Sequence, residues 1–270
     1  MVARRLSEGI AARVEADGIG LPVMPEVAQR VLALADDPDA SAARLSALVH
    51  RDPGLAAHVL RIANSAAFGG SASIVTLQQA CARLGMRMLS EIAVAIAMSK
   101  AFEVPGHQVE IGAVFRRSLA GALWAKEVAR IGRRNVESAF LGGLLHRIGV
   151  PVAMREAYAE ARVSNPAPSP EEIRLAIEGW APELGSRVAM QWELPAVVCA
   201  AIEHHGEPES AGRFSLDVWT VVLGDALAVH GPEALSEHPA VVELNLYPED
   251  LEALLSRQER VETALGAMCS

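Results

Sequence analysis

Apolar residues recur at helical spacing along almost the whole chain, and period-two alternation is hard to find. Val27, Val31, Leu32, Leu34 and Ala35 form one helical stripe. Leu45, Leu48 and Val49 form another, followed by Leu55, Val59, Leu60 and Ile62. A half-buried strand needs strict alternation, whereas three-to-four spacing lines one face of a helix. Alanine is abundant and favours helix over strand. The expected fold class is therefore all-α, with about a dozen helices joined by short loops. No fixed period recurs, which argues against a solenoid.

The breaks between stripes carry their own chemistry. Asp36-Asp37-Pro38-Asp39-Ala40-Ser41 reads as a turn leading into a helix cap. Asp52-Pro53-Gly54 places Asp at an N-cap and Pro at the first helical position. Gly85 and Gly132 fall where helices should stop. The Pro-rich run from Asn165 to Pro170 reads as a loop, with Glu171 and Glu172 opening the next helix. The pattern breaks again between Phe102 and Gln108, which marks a subdomain boundary. The stretch from Pro248 to about Gly266 reads as a single amphipathic helix.

Composition narrows the function classes. With 270 residues, 51% hydrophobic and 21% charged, the chain has ample core-forming material and is no disordered polymer. Lys and Arg number 24 against 33 Asp and Glu, a net charge of -9, and aromatics make up only 4%. That balance argues against sequence-independent nucleic-acid binding, which depends on neutralising phosphates. Cys81, Cys199 and Cys269 are far apart and odd in number, so neither a disulfide framework nor a Cys-x-x-Cys metal knuckle is expected. The N-terminal residues lack the continuous apolar core of a signal peptide. The longest apolar run, Ile92 to Met98, is too short for a bilayer. A reduced, cytoplasmic protein without membrane contact is expected. A Gly-rich phosphate loop, a Gly-x-Ser-x-Gly elbow and a His-Glu-x-x-His helix are all absent.

Four groups of polar residues remain: Arg116-Arg117-Ser118; Leu144-Leu145-His146-Arg147-Ile148-Gly149; Ile202-Glu203-His204-His205-Gly206; and Asp225 within Val221-Val222-Leu223-Gly224-Asp225. Histidines and a carboxylate on several helices are the ingredients of a metal site in a bundle core. A lone His on an apolar helix is as readily a hydrogen-bonded core residue. Arg130, Arg133 and Arg134 cluster at a helix end, either as dipole partners or as an anion patch.

Leu21-Pro22-Val23-Met24-Pro25, Asp52-Pro53-Gly54-Leu55, Asn64-Ser65, and Ile74 to Ala80 with Leu84-Gly85, in that order, resemble the blocks of the HDOD branch (HD-related output domain) of the all-helical HD phosphohydrolases. Leu21-Pro22-Val23-Met24-Pro25 resembles its opening Leu-Pro-x-x-Pro. Asp52-Pro53-Gly54-Leu55 resembles its Asp-Pro-x-Leu helix start, and Asn64-Ser65 its Asn-Ser signature. Ile74 to Ala80, then Leu84-Gly85, resembles the next block. The resemblance runs from about residue 19 to about residue 230 and implies two helical subdomains. These are an N-terminal bundle over 19–104 and an HD-like core over 107–230, with a helix at 1–18 before them and a helical extension at 231–270 after them.

The resemblance also implies which positions would form the HD metal site. Arg117 falls where catalytic members carry an early His. His146-Arg147 falls on the namesake His-Asp pair, so the His is kept and the Asp lost. Ala181 falls on a further His. His204-His205 matches the His-His pair, and Asp225 the final Asp. The vestigial site is thus Arg117, His146, Arg147, Ala181, His204, His205 and Asp225. Guanidinium groups offer no lone pair and stay charged, so no metal, no cofactor and no HD-type hydrolysis are expected. Either Arg147 or Arg117 is expected to pair with Asp225, the cation replacing the metal's charge. The plainer reading leaves Arg147 in solvent and Asp225 bonded to backbone or hydroxyl groups.

What the resemblance implies for function is a non-catalytic regulator in bacterial signal transduction that binds protein partners. Two alternatives stand beside it. One is a sensor that holds a nucleotide or anion through Arg117 and Arg147. The other is a residual metal-dependent phosphodiesterase using His146, His204, His205 and Asp225, with Glu203 as the replacement carboxylate.

Overall fold

In a computed structural model the described residues are 2–16, 18–35, 37, 39–65, 68, 73–102 and 104–269. Among them there is no strand, and the fold is all-α. The helices are α1 (Val2–Glu15), α2 (Glu26–Ala35), α3 (Ala42–His50), α4 (Pro53–Ala63), α5 (Leu77–Leu84), α6 (Met86–Ser99), α7 (Gln108–Ile131) and α8 (Val136–Leu145). They continue with α9 (Gly149–Val163), α10 (Pro170–Gln191), α11 (Ala196–Glu203), α12 (Ser215–His230), α13 (Pro239–Glu243), α14 (Pro248–Leu255) and α15 (Gln258–Cys269). Two 3-10 segments, Pro208–Phe214 and Gly231–Leu235, flank α12.

The chain divides into two compact units, both discontinuous in sequence. The large unit is Met1–Pro22 with Phe102–Leu255, and the small unit is Val23–Ala101 with Ser256–Ser270. The tail from Pro248 is two helices rather than the single helix expected, because residues 256–257 form a turn. The two faces have different destinations. Leu254 of α14 is buried in the large unit, while Val261, Ala264, Ala267 and Met268 of α15 are buried in the small one.

Local signals shape the small unit. Asp52 caps α4, its carboxylate accepting from the Leu55 N–H at 3.0 Å, and Pro53 fills the first turn. Thr76 and Gln79 form a reciprocal capping box on α5. Gly85, at φ +80°, ends α5 and starts α6 in a conformation that other residues resist. Asn64 ends α4, and its amide both donates to the Ile74 carbonyl and accepts from the Ile74 N–H, each at 2.7 Å. Asn64 is therefore a structural clasp on the next segment. Of the turn expected over residues 36–41, Asp36 and Pro38 lie outside the described residues, while Ser41 caps α3. Leu45, Val49, Val59, Ile62, Leu89, Ile92 and Met98 form the buried interior.

In the large unit α7 lies against both α8 and α12. Helix α1 packs on α9 and α10 and buries Leu6, Ile10 and Val14. Polar contacts hold it there: Arg13 pairs with Glu156 at 2.7 Å, and the Trp180 indole N–H donates to the Ser7 hydroxyl at 2.9 Å. The Trp192 indole N–H donates to the Pro22 carbonyl at 2.8 Å.

Candidate functional site

Small residues bring three helices of the large unit close enough to share polar side chains. A Cβ on Gly143 of α8 would sit 2.6 Å from the Ala122 Cα of α7, and one on Gly224 of α12 would sit 2.6 Å from the Ala125 N. Distances that short belong to no real Cβ contact, so only glycine fits and the backbones touch. Arg117 lies one turn before Gly121 on α7. Asp225 follows Gly224, and His146 follows α8 in a turn. His205 comes from the turn after α11.

These four side chains meet. Arg117 donates from Nε to Asp225 Oδ1 at 2.8 Å and from Nη2 to Oδ2 at 2.6 Å, a two-pronged ion pair. Of the two arginines expected to reach Asp225, Arg117 is the one that bonds it. Asp225 is buried, and burial alone would raise its pKa. Burial is the largest single influence, but the Arg117 hydrogen bonds, with the Arg117 charge and the neighbouring His146 added, together outweigh it and hold the carboxyl far below the usual range.

The His146 and His205 rings stack with centroids 4.6 Å apart. His146 Nδ1 lies 2.8 Å from the Gly143 carbonyl. A carbonyl only accepts, so Nδ1 carries the proton, and in the neutral ring Nε2 carries the lone pair. That Nε2 is 3.4 Å from Asp225 Oδ1, and His205 Nε2 is 3.9 Å from Oδ2. Neither Nε2 has a hydrogen-bond partner among the described residues, and both are buried. Burial, followed by His146, pushes His205 down to about 3, so its ring is neutral at physiological pH.

The other expected positions are distributed differently. Arg147 is half-buried beside this cluster and feels the charges of Arg117, Asp225 and Glu178. Its Nε is buried without a hydrogen-bond partner. Ala181 supplies no donor. Its carbonyl abuts the start of α9, where a Cβ on Gly149 would lie 1.9 Å from it. His204 is not in the cluster. Its Nδ1 is 2.8 Å from the Ser210 hydroxyl, and its side chain lines an open cleft of about 500 Å³ with Leu194, Cys199, Glu203 and Phe214. The adjacent His204 and His205 thus serve different surroundings. Glu203 is exposed, 4.0 Å from His204 Nε2 and outside the Asp225 cluster, so it is no substitute for the missing carboxylate.

His146, His205 and Asp225 present donor atoms within 4.8 Å of one another, the spacing of a loose cation site. The residues around them do not fit the two-metal centre that the HD resemblance implies. Both Asp225 oxygens are already held by Arg117. A guanidinium follows His146 where a carboxylate is needed. At about 4 Å and an effective dielectric near 20, each unit of like charge costs a cation about 4 kcal/mol.

Sequence patterning pointed to the charged residues and missed what orients them. The Gly143 carbonyl that fixes the His146 tautomer carries no side-chain signal. The glycines that let α7, α8 and α12 approach look, in sequence, like any helical glycine.

Comparison with known proteins places the chain. The HDOD domain model matches residues 21–208, well over half its length, and the chain belongs to the HDOD domain family. It is similar to an uncharacterized protein of Treponema pallidum, at 22% identity over 232 residues. The match covers 82% of this chain but 44% of that protein, so the chain spans less than half of the curated relative it matches. Among solved structures it resembles a protein proposed as a metal-dependent phosphohydrolase from Shewanella amazonensis, with TM-score 0.74, 21% identity and 98% and 99% of the two chains covered. It also resembles an HDOD domain protein of unknown function from Geobacter sulfurreducens, with TM-score 0.71, 20% identity and coverage of 97% and 98%. A third, proposed as a signal transduction protein of Marinobacter aquaeolei, has TM-score 0.72 and 22% identity, with 100% of this chain and 66% of that one covered. At these identities the likeness is one of fold. No helix among the described residues is long and apolar enough to cross a membrane.

Proposed function

We propose that this chain is a non-catalytic HDOD regulator of signal transduction that works in the cytoplasm by binding protein partners. One observation carries the reading: the Arg117 guanidinium occupies both oxygens of Asp225, the carboxylate that a metal-dependent member would use. The cation supplies the charge that a metal would bring, and it supplies no Lewis acid. Arg147 adds a second fixed charge, and Ala181, at the position of a further His in the pattern, has no donor. Family membership and a signal-transduction neighbour of the same fold support the regulatory half of the reading.

The test is hydrolysis of bis(p-nitrophenyl) phosphate and of a cyclic dinucleotide with added Mn²⁺, Fe²⁺ or Mg²⁺. The expected result is turnover at the buffer rate with each metal. Metal-dependent turnover that disappears in Asp225→Ala would replace this reading with the phosphodiesterase one.

A further inference from the structure

The end of α10, one side of α11 and the 3-10 segment Pro208–Phe214 frame the cleft of about 500 Å³, and all three belong to the large unit. Its floor is apolar, with Leu194 and Ala200 buried beneath it. Its walls are Met190, Cys199 and Phe214. Met190 is 68% exposed, an adaptable apolar side chain left in solvent. Burial pushes the Cys199 thiol up, so it stays protonated and serves as apolar wall. The edge is acidic. Glu193 and Glu203 are both exposed there, and no Lys or Arg lines the cleft.

His204 sharpens that edge. The Ser210 hydroxyl donates to the Glu207 carbonyl at 2.6 Å and lies 2.8 Å from His204 Nδ1. A hydroxyl has a single proton, so Nδ1 donates to it, and in the neutral ring Nε2 keeps the lone pair. That Nε2 is 4.0 Å from Glu203 Oε2. Two acceptors at that distance leave room for one donor group, and an ammonium reaches both at about 2.8 Å. A site for a small molecule buries most of its ligand. This cleft has exposed walls, which suits a side chain presented by a larger partner. Among the described residues there is no strand whose edge a partner could extend, and an apolar groove between helices takes a helix.

We propose that this cleft docks a basic amphipathic helix of a partner protein. One bulky apolar side chain rests on Leu194 and Ala200 between Met190 and Phe214. A Lys one turn away donates to Glu203 and to His204 Nε2. Glu193 adds a second carboxylate, and the chain's net charge of -9 favours the approach of a basic partner. The inference rests on the protein-partner reading and deepens it by giving the partner's chemistry.

The test is nuclear magnetic resonance titration of the full chain, its methionine methyls labelled with carbon-13 and Met190 assigned through Met190→Leu. The probe is an Ala-rich helical peptide of about fifteen residues with Leu and Lys at i,i+4 spacing. The expected result is a saturable shift of the Met190 methyl with Kd below about 1 mM. Affinity should fall by about fivefold or more in Ala196→Trp, which fills the exposed edge of the cleft, and in Glu203→Gln. The same peptide with Glu in place of Lys should not bind. Both substituted positions are exposed, so the fold should tolerate the changes. No saturable shift up to about 5 mM, or equal binding of the Glu peptide, overturns the proposal. Equal affinity in wild type and both variants also overturns it, because the peptide is then drawn by net charge alone. Dimerisation in sedimentation that Ala196→Trp abolishes overturns it in favour of a second copy of this chain. Displacement of the peptide by butylamine of equal or higher affinity overturns it in favour of a small amine. Each of these failures strikes the cleft alone, whereas metal-dependent hydrolysis strikes the reading on which it rests.

Discussion

The two units bury the same kinds of apolar side chain but very different polar ones. In the small unit the buried polar residues among those described are Ser46 and Glu91. In the large unit they are Ser118, Lys126, Glu127, His146, Glu156, Thr220 and Asp225. The small unit takes its shape from local devices: the Asp52 cap, the Thr76–Gln79 box and the Asn64 clasp. The large unit carries charge in its interior, and at His146 and Asp225 it does so where glycines bring backbones together. Burying charge is an expensive way to stabilise a fold, and replacing such pairs by apolar groups is often neutral or favourable. The polar interior of the large unit is therefore not explained by stability alone.

That contrast can be broken by substitution. The largest effect is expected at the helix contacts of the large unit. Gly224→Val drives a side chain into the α7 backbone, because the Cβ position alone lies 2.6 Å from Ala125 N. A loss of about 3 kcal/mol or more is expected in urea unfolding. A loss under about 1 kcal/mol would show that the helices separate easily. Next comes Arg117→Ala, which leaves Asp225 buried and unpaired at a cost of roughly 2–3 kcal/mol. Adding Asp225→Asn in the same chain should recover most of it, and equal stability of the single and double variants would remove the ion pair from the account.

The effect of pH is smaller and has a definite sign. His205 titrates near 3 in the folded chain and near its ordinary value of about 6.5 when unfolded. Between those values the unfolded state binds more protons, so stability falls as pH drops through that window. His205→Gln should flatten the slope of stability against pH between about 4.5 and 6.5 by up to about one proton. The neighbours that set this behaviour are His146, Asp225, Arg147 and Arg117. An unchanged slope would mean that His205 is charged in the folded state. The smallest expected effect lies in the small unit, where Asp52→Ala removes a cap worth about 1 kcal/mol and leaves the slope between about 4.5 and 6.5 unchanged, because the Leu55 N–H holds its carboxyl below the ordinary carboxylate value.

Helical spacing and capping chemistry made much of the fold legible in the sequence, because both act over a few residues. Asp52, Ser41, Thr76 and Gly85 do locally what their types predict. The tail was misread as one helix because periodicity does not register that Leu254 and Val261 are buried in different units. At the site, residue identity was legible and partnership was not. Arg117 and Arg147 both stood as candidates for Asp225, and the choice is set by the close contact of α7 with α12, 108 positions apart in sequence. His204 and His205 are neighbours in sequence and part company because the turn after α11 points them to different sides. No spacing rule separates two histidines in a turn.

The most direct measurement of the central claim is metal content by inductively coupled plasma mass spectrometry, on protein purified without chelators or a histidine tag. It should be made alongside the Arg117→His, Arg147→Asp double variant. The account predicts less than about a tenth of an equivalent of iron, manganese or zinc in the wild type, and a clear rise in the double variant as lone pairs replace guanidinium groups. One or two equivalents in the wild type would contradict it, because Asp225 would then be a metal ligand rather than the partner of Arg117.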